Sequence, residues 1–311
     1  MPYTCSEVAV GAGLLLLAAC RADAVPLHPR PALSLPAQLA AGYALPAATV
    51  SAVLRPAVNA AVIDGELRCG DEQARFHVLL PEGPPRPVVL VLPILAGGDE
   101  LTRAIARRLV ARGFAAVWCE RVAAALRPPQ RGAELEQLFR RTVVQNRMLL
   151  AWLRSCPRVR GSEVCALGVS MGGMVGTVLS AVEPELCAAA LVIAGADLPD
   201  LVVHSEEGRV RAWLDWRAAV DGLSPSGVEA ELRRQLRSDP AALARFIPTD
   251  KVFLVAATLD DVIPKRNRTL LWEALGRPRR LEIPLGHYSM AMALDTVLGQ
   301  VADFFTTRLP G

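Results

Sequence analysis

The stretch EVCALGVSMGG occupies residues 163–173 and joins two kinds of secondary structure. Its first half, Glu163–Gly168, is a short and mostly apolar run, which is typical of a strand covered on both faces. Its second half leads into Met171–Val182, which we predict to be a helix. Between them lies a G-x-S-x-G pattern centred on Ser170, with one further glycine behind it. The glycines indicate a sharp strand-to-helix turn, because such a turn leaves no room for side chains two residues from the exposed serine.

An alternation of strands and helices extends along the chain on both sides of this turn. Strand-like runs lie at Ala60–Arg68, Ala74–Leu80, Pro87–Pro93, Phe114–Cys119, Glu163–Gly168, Cys187–Ala194, Lys251–Ala257 and Arg279–Ile283. Predicted helices lie at Leu101–Arg112, Glu134–Arg154, Met171–Val182, Lys265–Leu275 and Ser289–Arg308. This order predicts an α/β protein with a doubly wound, mostly parallel sheet of about eight strands. Residues 197–249 break the alternation after the sixth strand, and we expect them to form a helical insertion.

Composition narrows the class of protein. Of the 311 residues, 52% are hydrophobic and 21% are charged, which excludes a disordered chain. The formal net charge of +3 argues against a strongly basic face for nucleic acid, so we expect no nucleic-acid partner. The four histidines are scattered and the acidic pairs lack ligand spacing, so we predict no metal site and no cofactor.

The longest apolar run lies near the N-terminus. Val8–Ala19 has twelve residues, which suits a signal peptide and is too short to span a bilayer. It ends at Leu17–Cys20 (LAAC), which resembles the lipobox of bacterial lipoproteins, whose cysteine becomes the lipidated first residue. The resemblance implies lipidation at Cys20 and a lipid-anchored position in the bacterial cell envelope. Glu7 departs from the family pattern, because basic residues precede the apolar run in that family.

A plain secretory signal is the alternative, because residues 22–24 (Ala-Asp-Ala) fit an A-x-A cleavage site. The product would then be a soluble periplasmic or secreted protein. With the lipobox, the chain divides into a signal peptide (1–19), a Pro-rich tether or irregular wrap (20–58) and one large domain (59–311). Five cysteines follow the leader, and their odd number and long spacing favour buried thiols, with one bridge, for example involving Cys69, left open.

From about Ala60 to the C-terminus the chain resembles the α/β-hydrolase superfamily, in which the catalytic residues follow the chain order nucleophile, acid, histidine. The resemblance implies that Ser170 is the nucleophile. It also selects His287, which follows the last predicted strand in IPLGH (283–287), where the family carries its catalytic imidazole. Its role would be that of general base toward the serine and then of general acid toward the leaving group.

The acid is expected after the strand Lys251–Ala257, in the stretch ATLDDVIP (257–264). Family members often read G-x-x-D-x-x-V-P, and this register selects Asp260. The neighbouring Asp261 is a second candidate. Asp197 is a third, because some members of the superfamily carry the acid after the preceding strand.

An oxyanion hole in this family takes two backbone N–H groups, one from the residue after the nucleophile. That residue is Met171. The second group belongs to the loop after the strand Pro87–Pro93, where Ile94 is the first candidate and Leu95 the alternate. Pro93 cannot serve, because it has no N–H.

The resemblance implies a serine hydrolase that cleaves a small carboxylic ester or related acyl compound through an acyl-enzyme. A thioesterase, a peptidase or a dienelactone-hydrolase-like enzyme of the same fold is the alternative, although a dienelactone hydrolase proper carries cysteine where this chain has Ser170. A non-catalytic surface lipoprotein that binds a ligand is the rival from another class. The resemblance also implies that the helical insertion at 197–249 forms a cap over the pocket. In that cap, Trp213, Leu214 and Trp216 would either line the substrate pocket or pack the cap onto the body.

Overall fold

The computed structural model of the chain describes residues 21–22, 31, 33–56, 59, 61–94, 99–120 and 125–310. The predicted signal peptide (1–19), the lipidation candidate Cys20 and the alternate oxyanion donor Leu95 lie outside the described residues.

In the part of the chain that the structure describes, the centre of the molecule is one sheet of ten strands. They are β1 Arg21–Ala22, β2 Ser51–Leu54, β3 Val62–Cys69, β4 Glu72–Leu79, β5 Arg86–Leu92, β6 Ala115–Cys119, β7 Val159–Val169, β8 Ala188–Val192, β9 Val252–Ala257 and β10 Arg279–Ile283. Their order is β1-β10-β9-β8-β7-β5-β6-β4-β3-β2. Strands β5 to β10 run parallel to one another, whereas β1, β2, β3 and β4 pair antiparallel with their neighbours. The predicted mostly parallel sheet is therefore confirmed.

Helices cover both faces of this sheet. They are α1 Ala37–Ala41, α2 Asp99–Val110, α3 Gly132–Leu153, α4 Met171–Val182, α5 Leu198–His204, α6 Gly208–Asp221, α7 Pro225–Gln235, α8 Pro240–Leu243, α9 Lys265–Ala274 and α10 Leu294–Thr306. Side chains of α2 and α10 pack on one face of the sheet, and those of α3, α4 and α9 pack on the other. Successive residues of β7, such as Ala166 and Leu167, alternate between the two cores. Burial on both faces explains why the parallel strands read as continuous apolar runs.

The cap predicted after the sixth strand is present. Helices α5 to α8 all lie between β8 and β9. Arg217 of α6 is 1% exposed and binds Asp221 and Glu231 through its guanidinium group. Asp221 also pairs with Arg131, which precedes α3. This buried network links two cap helices to the body, and it was not predicted.

The expectation of a free tether over residues 20–58 is corrected by the described part of that segment. Strand β2 pairs with β3, and Tyr43 is buried, with its hydroxyl 2.8 Å from Ser238 Oγ in the cap. The residues of this segment that the structure describes thus form the irregular wrap of the two options. The count of about eight strands was low because β1 and β2 are short edge strands, which lack the apolar signal of strands buried on both faces.

Within the described part of the chain, no helix combines the length and the apolar character needed to cross a membrane. The five described cysteines are free thiols, and four of them are buried. The bridge that was left open for Cys69 is therefore not formed, and its Sγ lies 3.3 Å from the carbonyl oxygen of Ala48.

Candidate active site

Ser170 stands on a strained turn at the carboxyl end of the sheet. It separates β7 from α4 and has φ 54° and ψ −120°. A side-chain-bearing residue rarely adopts a positive φ, and such strain persists only where the surroundings hold it. Here the Ser170 N–H donates to the carbonyl of Val192, and its own carbonyl accepts the N–H of Gly173. The turn therefore presents the hydroxyl beyond the end of the strand.

The glycines around Ser170 are required by close backbone approaches. A Cβ on Gly168 would lie 2.1 Å from the carbonyl oxygen of Gly172. A Cβ on Gly172 would in turn lie 2.2 Å from the carbonyl oxygen of Leu92, at the end of β5. Both distances are impossible for a real side chain, so the pattern brings the end of β5 against the serine turn.

The structure brings Ser170, His287 and Asp260 together. Nε2 of His287 lies 3.0 Å from Ser170 Oγ, and Nδ1 lies 2.9 Å from Asp260 Oδ2. The carboxylate of Asp260 is fully buried, and the imidazole is 8% exposed. With Asp260 ionised, the proton of the neutral ring belongs on Nδ1, which leaves Nε2 free to accept a proton from Oγ.

The orientation of Asp260 is set by its own loop. Its Oδ1 accepts the backbone N–H groups of Val262 and Ile263 at 2.9 and 2.8 Å. One carboxylate oxygen is thereby occupied, and the other faces the imidazole. The N–H of Leu259 also donates to the carbonyl of Leu285 at 3.0 Å, which fastens the loop of the acid to the loop of the histidine.

The other acid candidates are placed elsewhere. Asp261 is exposed, and its carbonyl accepts the N–H of Glu206 in the cap. Asp197 lies at the N-cap of α5 and pairs with Arg233 at 3.0 Å. Among the described carboxylates, the one hydrogen-bonded to His287 is Asp260.

The other histidines do not reach the serine in the described part of the chain. Both ring nitrogens of the buried His77 are engaged, Nδ1 with Asp64 at 2.6 Å and Nε2 with Glu120 at 3.1 Å. His204 is exposed and binds the backbone carbonyl of its own helix at Asp200. The described residues contain no group of three or more His, Cys, Asp or Glu side chains arranged to hold a metal ion.

The two oxyanion candidates lie on either side of the serine. Met171 is the first residue of α4, and the first N–H groups of a helix have no acceptor within it. Ile94 follows the end of β5, is half-buried and lines the same cavity as Ser170. The close approach of Gly172 to Leu92 described above brings the two segments that carry these residues together.

A cavity of about 330 Å³ opens at Ser170 and His287. Its described lining is almost entirely apolar and contains no Arg, Lys or Asp. The lining does not include Trp213, Leu214 or Trp216. Trp213 is buried instead and donates its indole N–H to the carbonyl of Gln130. Packing of the cap onto the body, the second of the two predicted options, is therefore the role of these side chains.

Sequence reasoning missed one wall of the cavity. Met290, Leu294 and Leu298 all line it, from the short 3₁₀ segment Ser289–Ala293 into α10. Their spacing of four residues was a usable signal for one face of a helix. The sequence could not predict that this face lies against the serine, because that depends on how α10 packs on the sheet.

One family model and two curated proteins match parts of this chain. Residues 75–207 match the Dienelactone hydrolase family. Two uncharacterized proteins of Mycobacterium tuberculosis, from strains CDC 1551 / Oshkosh and ATCC 25618 / H37Rv, are each 29% identical over 142 residues. That alignment covers 45% of this chain and 32% of each relative, so the match spans about a third of the curated relatives' length.

Solved structures extend the likeness to most of the chain. The acetyl xylan esterase from Paenibacillus sp. R4 superposes with a TM-score of 0.61 at 14% identity, over 88% of this chain and 92% of its own. Acetyl xylan esterase 1 from Thermoanaerobacterium sp. JW/SL YS485 gives a TM-score of 0.56 at 14% identity, over 86% and 99%. At such low identity these likenesses show the fold, and the fold is that of the α/β-hydrolases.

Proposed function

We propose that this member of the α/β-hydrolase superfamily is a serine hydrolase that cleaves carboxylic esters through an acyl-enzyme. The observation that carries the proposal is the continuous chain of hydrogen bonds from Ser170 through His287 to the buried Asp260. The match to the Dienelactone hydrolase family and the esterase-like fold support the same reaction class.

Acylation begins at the strained turn. Ser170 Oγ attacks the carbonyl carbon of the ester while Nε2 of His287 takes its proton. The tetrahedral oxyanion accepts hydrogen bonds from the N–H groups of Met171 and Ile94, and Asp260 stabilises the imidazolium. The bond from the carbonyl carbon to the alcohol oxygen then breaks, and Nε2 gives its proton to that oxygen.

Deacylation repeats these steps with water. Nε2 removes a proton from a water molecule, whose oxygen attacks the acyl carbon. The second oxyanion collapses, the bond to Ser170 Oγ breaks, and the imidazolium returns the proton to the serine. The same two N–H groups serve both oxyanions, so the acid product leaves with the enzyme restored.

The proposal is tested by labelling and by turnover. A fluorophosphonate probe should label the wild-type protein, and Ser170→Ala should not be labelled. In hydrolysis of p-nitrophenyl esters, Ser170→Ala should lower kcat by roughly 10⁶-fold. Equal labelling of Ser170→Ala would overturn the proposal, because the probe would then react with another residue. A folded wild-type protein that neither labels nor turns over would mean that the protein is a ligand-binding member of the fold.

Ester cleavage is separated from its near alternatives by a panel of matched substrates. Thioesters and amides of the same acyl groups test the thioesterase and peptidase readings. Higher kcat/KM on a thioester or an amide than on the matched ester would replace the ester assignment with the corresponding one. The nucleophile and the triad would stay the same.

We also propose that the protein is exported to the bacterial cell envelope and anchored by a lipid on Cys20. Support comes from the apolar run Val8–Ala19 and the LAAC sequence that ends it. Metabolic labelling with a palmitate analogue should mark the wild-type protein and leave Cys20→Ala unmarked. Label that persists in Cys20→Ala would overturn lipidation at Cys20, whereas a wild-type protein without label would favour a soluble exported protein cut after residue 24.

A further inference from the structure

We propose that the substrate is an uncharged ester whose acyl chain is extended and apolar, and that this chain lies in an arm of the cavity between the sheet and helices α2 and α10. The alcohol part lies in a second arm under the cap. This inference rests on the proposed function, because it assigns the two sides of the bond that Ser170 attacks.

The first arm, which we call the sheet arm, belongs to the core on the α2 and α10 face of the sheet. Six residues form its walls: Ile105, Leu167, Met290, Leu294, Val297 and Leu298. Its inner end is closed, since Ile105, Leu167 and Leu298 are each 2% exposed or less. This arm offers hydrocarbon on all sides and no polar partner.

The second arm, the cap arm, belongs to the opposite core. Six of its wall residues come from α3, α4 and the cap: Leu135, Phe139, Met174, Leu201, Val202 and Val210. It also reaches half-exposed polar groups, because Glu207 of the cap lines the same cavity. Tyr288, which follows the catalytic histidine, is 68% exposed and also lines the cavity. The two side chains mark where this arm meets solvent.

The order in which the two products leave indicates which part of the ester lies in each arm. In an acyl-enzyme mechanism the alcohol departs first, while the acyl group stays bonded to Ser170 until water attacks. The alcohol therefore needs the arm that meets solvent beside Glu207 and Tyr288. The acyl chain can occupy a closed arm, since it is released only after deacylation.

The lining also determines the charge of the substrate. Among the described lining residues Glu207 carries the one carboxylate, and none carries a cationic side chain. Glu207 already accepts the N–H of Val210 as the cap of α6. A charged group pushed into either apolar arm would lose its hydration without a partner. Uncharged esters are thus the substrates that fit.

Chain length is the direct readout for the wild-type protein. Each methylene that enters the sheet arm should raise kcat/KM about fourfold until the arm is full. Across p-nitrophenyl acetate, butyrate and hexanoate, kcat/KM should therefore rise by more than about tenfold. A preference for acetate, with Ser170 still labelled by a fluorophosphonate, would overturn this inference and leave the proposed function standing. If no ester is hydrolysed and Ser170 is not labelled, the proposed function itself fails.

Matched substitutions distinguish the two arms. Leu298→Phe fills the inner end of the sheet arm, so it should lower kcat/KM for hexanoate more than for acetate and shift the acyl optimum to shorter chains. Leu135→Phe fills the cap arm, and it should leave the acyl optimum unchanged and lower kcat/KM for butyrates of bulky alcohols relative to methyl butyrate. If the two variants exchange these effects, the assignment of the arms is wrong.

Inactivation of the wild-type protein by phosphonates tests the same assignment without depending on whether the variants fold. In p-nitrophenyl alkylphosphonates the alkyl group takes the place of the acyl chain on Ser170. Their rate of inactivation of the wild-type protein should rise with alkyl length from methyl to hexyl in parallel with kcat/KM. A flat or falling series would overturn the sheet-arm assignment.

Discussion

His287 reaches Asp260 through a 2.9 Å hydrogen bond to Oδ2, because Oδ1 of the same carboxylate is held by two backbone N–H groups. An amide in place of the carboxylate would keep its oxygen on those N–H groups and turn its NH₂ toward Nδ1. The ring would then carry its proton on Nε2, where it cannot accept one from Ser170.

Asp260→Asn should therefore lower kcat by about 10⁴-fold with little change in substrate binding. Steady-state kinetics on a p-nitrophenyl ester provides the measurement, and Asp261→Asn is the matched control, with kcat expected within a few-fold of the wild type. A large loss in the control with little loss in Asp260→Asn would move the acid to Asp261.

Gly172→Ala should abolish activity and destabilise the fold, because the new Cβ would meet the carbonyl oxygen of Leu92 at 2.2 Å. Overpacking of this kind costs about 1–3 kcal/mol or more. Gly299→Ala in α10 is the control, since nothing lies within 4 Å of its Cβ. It should stabilise the protein by about 0.5–1 kcal/mol. Urea denaturation compares the two, and equal stabilities would show that β5 does not approach the turn so closely.

Arg217→Met should destabilise the protein by more than about 1 kcal/mol, because it removes a buried guanidinium group that binds Asp221 and Glu231. Asp221 keeps its pair with Arg131, and Glu231 keeps the N–H of Gly132, which limits the loss. The control is Arg211→Met, which removes an exposed ion pair with Glu206 and should cost less than about 1 kcal/mol. Both values come from chemical denaturation. A loss below about 1 kcal/mol for Arg217→Met would mean that the network does not hold the cap.

Cys187 should be the most reactive of the five described thiols. A hydrogen bond from Cys165, with the nearby charge of Lys251, lowers the pKa of Cys187 to about 6. The same hydrogen bond, together with burial, raises the pKa of Cys165. Alkylation by iodoacetamide should therefore rise with pH to a midpoint near 6 and stay level above pH 7. In Cys165→Ala the midpoint should move up toward the usual value of about 8.5. Mass spectrometry locates the label, and modification of Cys119 first would contradict the prediction.

Much of the fold was predictable because its signals are local. Strands such as β5 and β8 are buried on both faces and read as unbroken apolar runs. Strand β2 was missed because it is an exposed edge strand in a Pro-rich segment. Its pairing with β3 depends on where the chain meets the folded sheet.

Ser170, His287 and Asp260 could be named as candidates from the sequence, and the structure brings them into hydrogen-bond contact. The shape of the cavity beside them could not be predicted. The turn around Ser170 is local, since its glycines relieve contacts within a few residues and with one neighbouring strand. The choice of Asp260 over Asp261 followed only from a family register. In the structure, two backbone N–H groups hold Oδ1 of Asp260 and leave Oδ2 facing His287. The hydrogen bond from Leu259 to Leu285 joins the loop that carries Asp260 to the loop that carries His287.

Short periodicities and glycines at set positions were enough to predict the class of sheet and the strained serine turn, and the family resemblance supplied the candidates for its acid and histidine. The packing of Trp213 between cap and body and the place of Leu298 in the cavity wall are visible only in the folded molecule. A cavity is the space left between elements distant in the chain, so no local pattern predicts its shape.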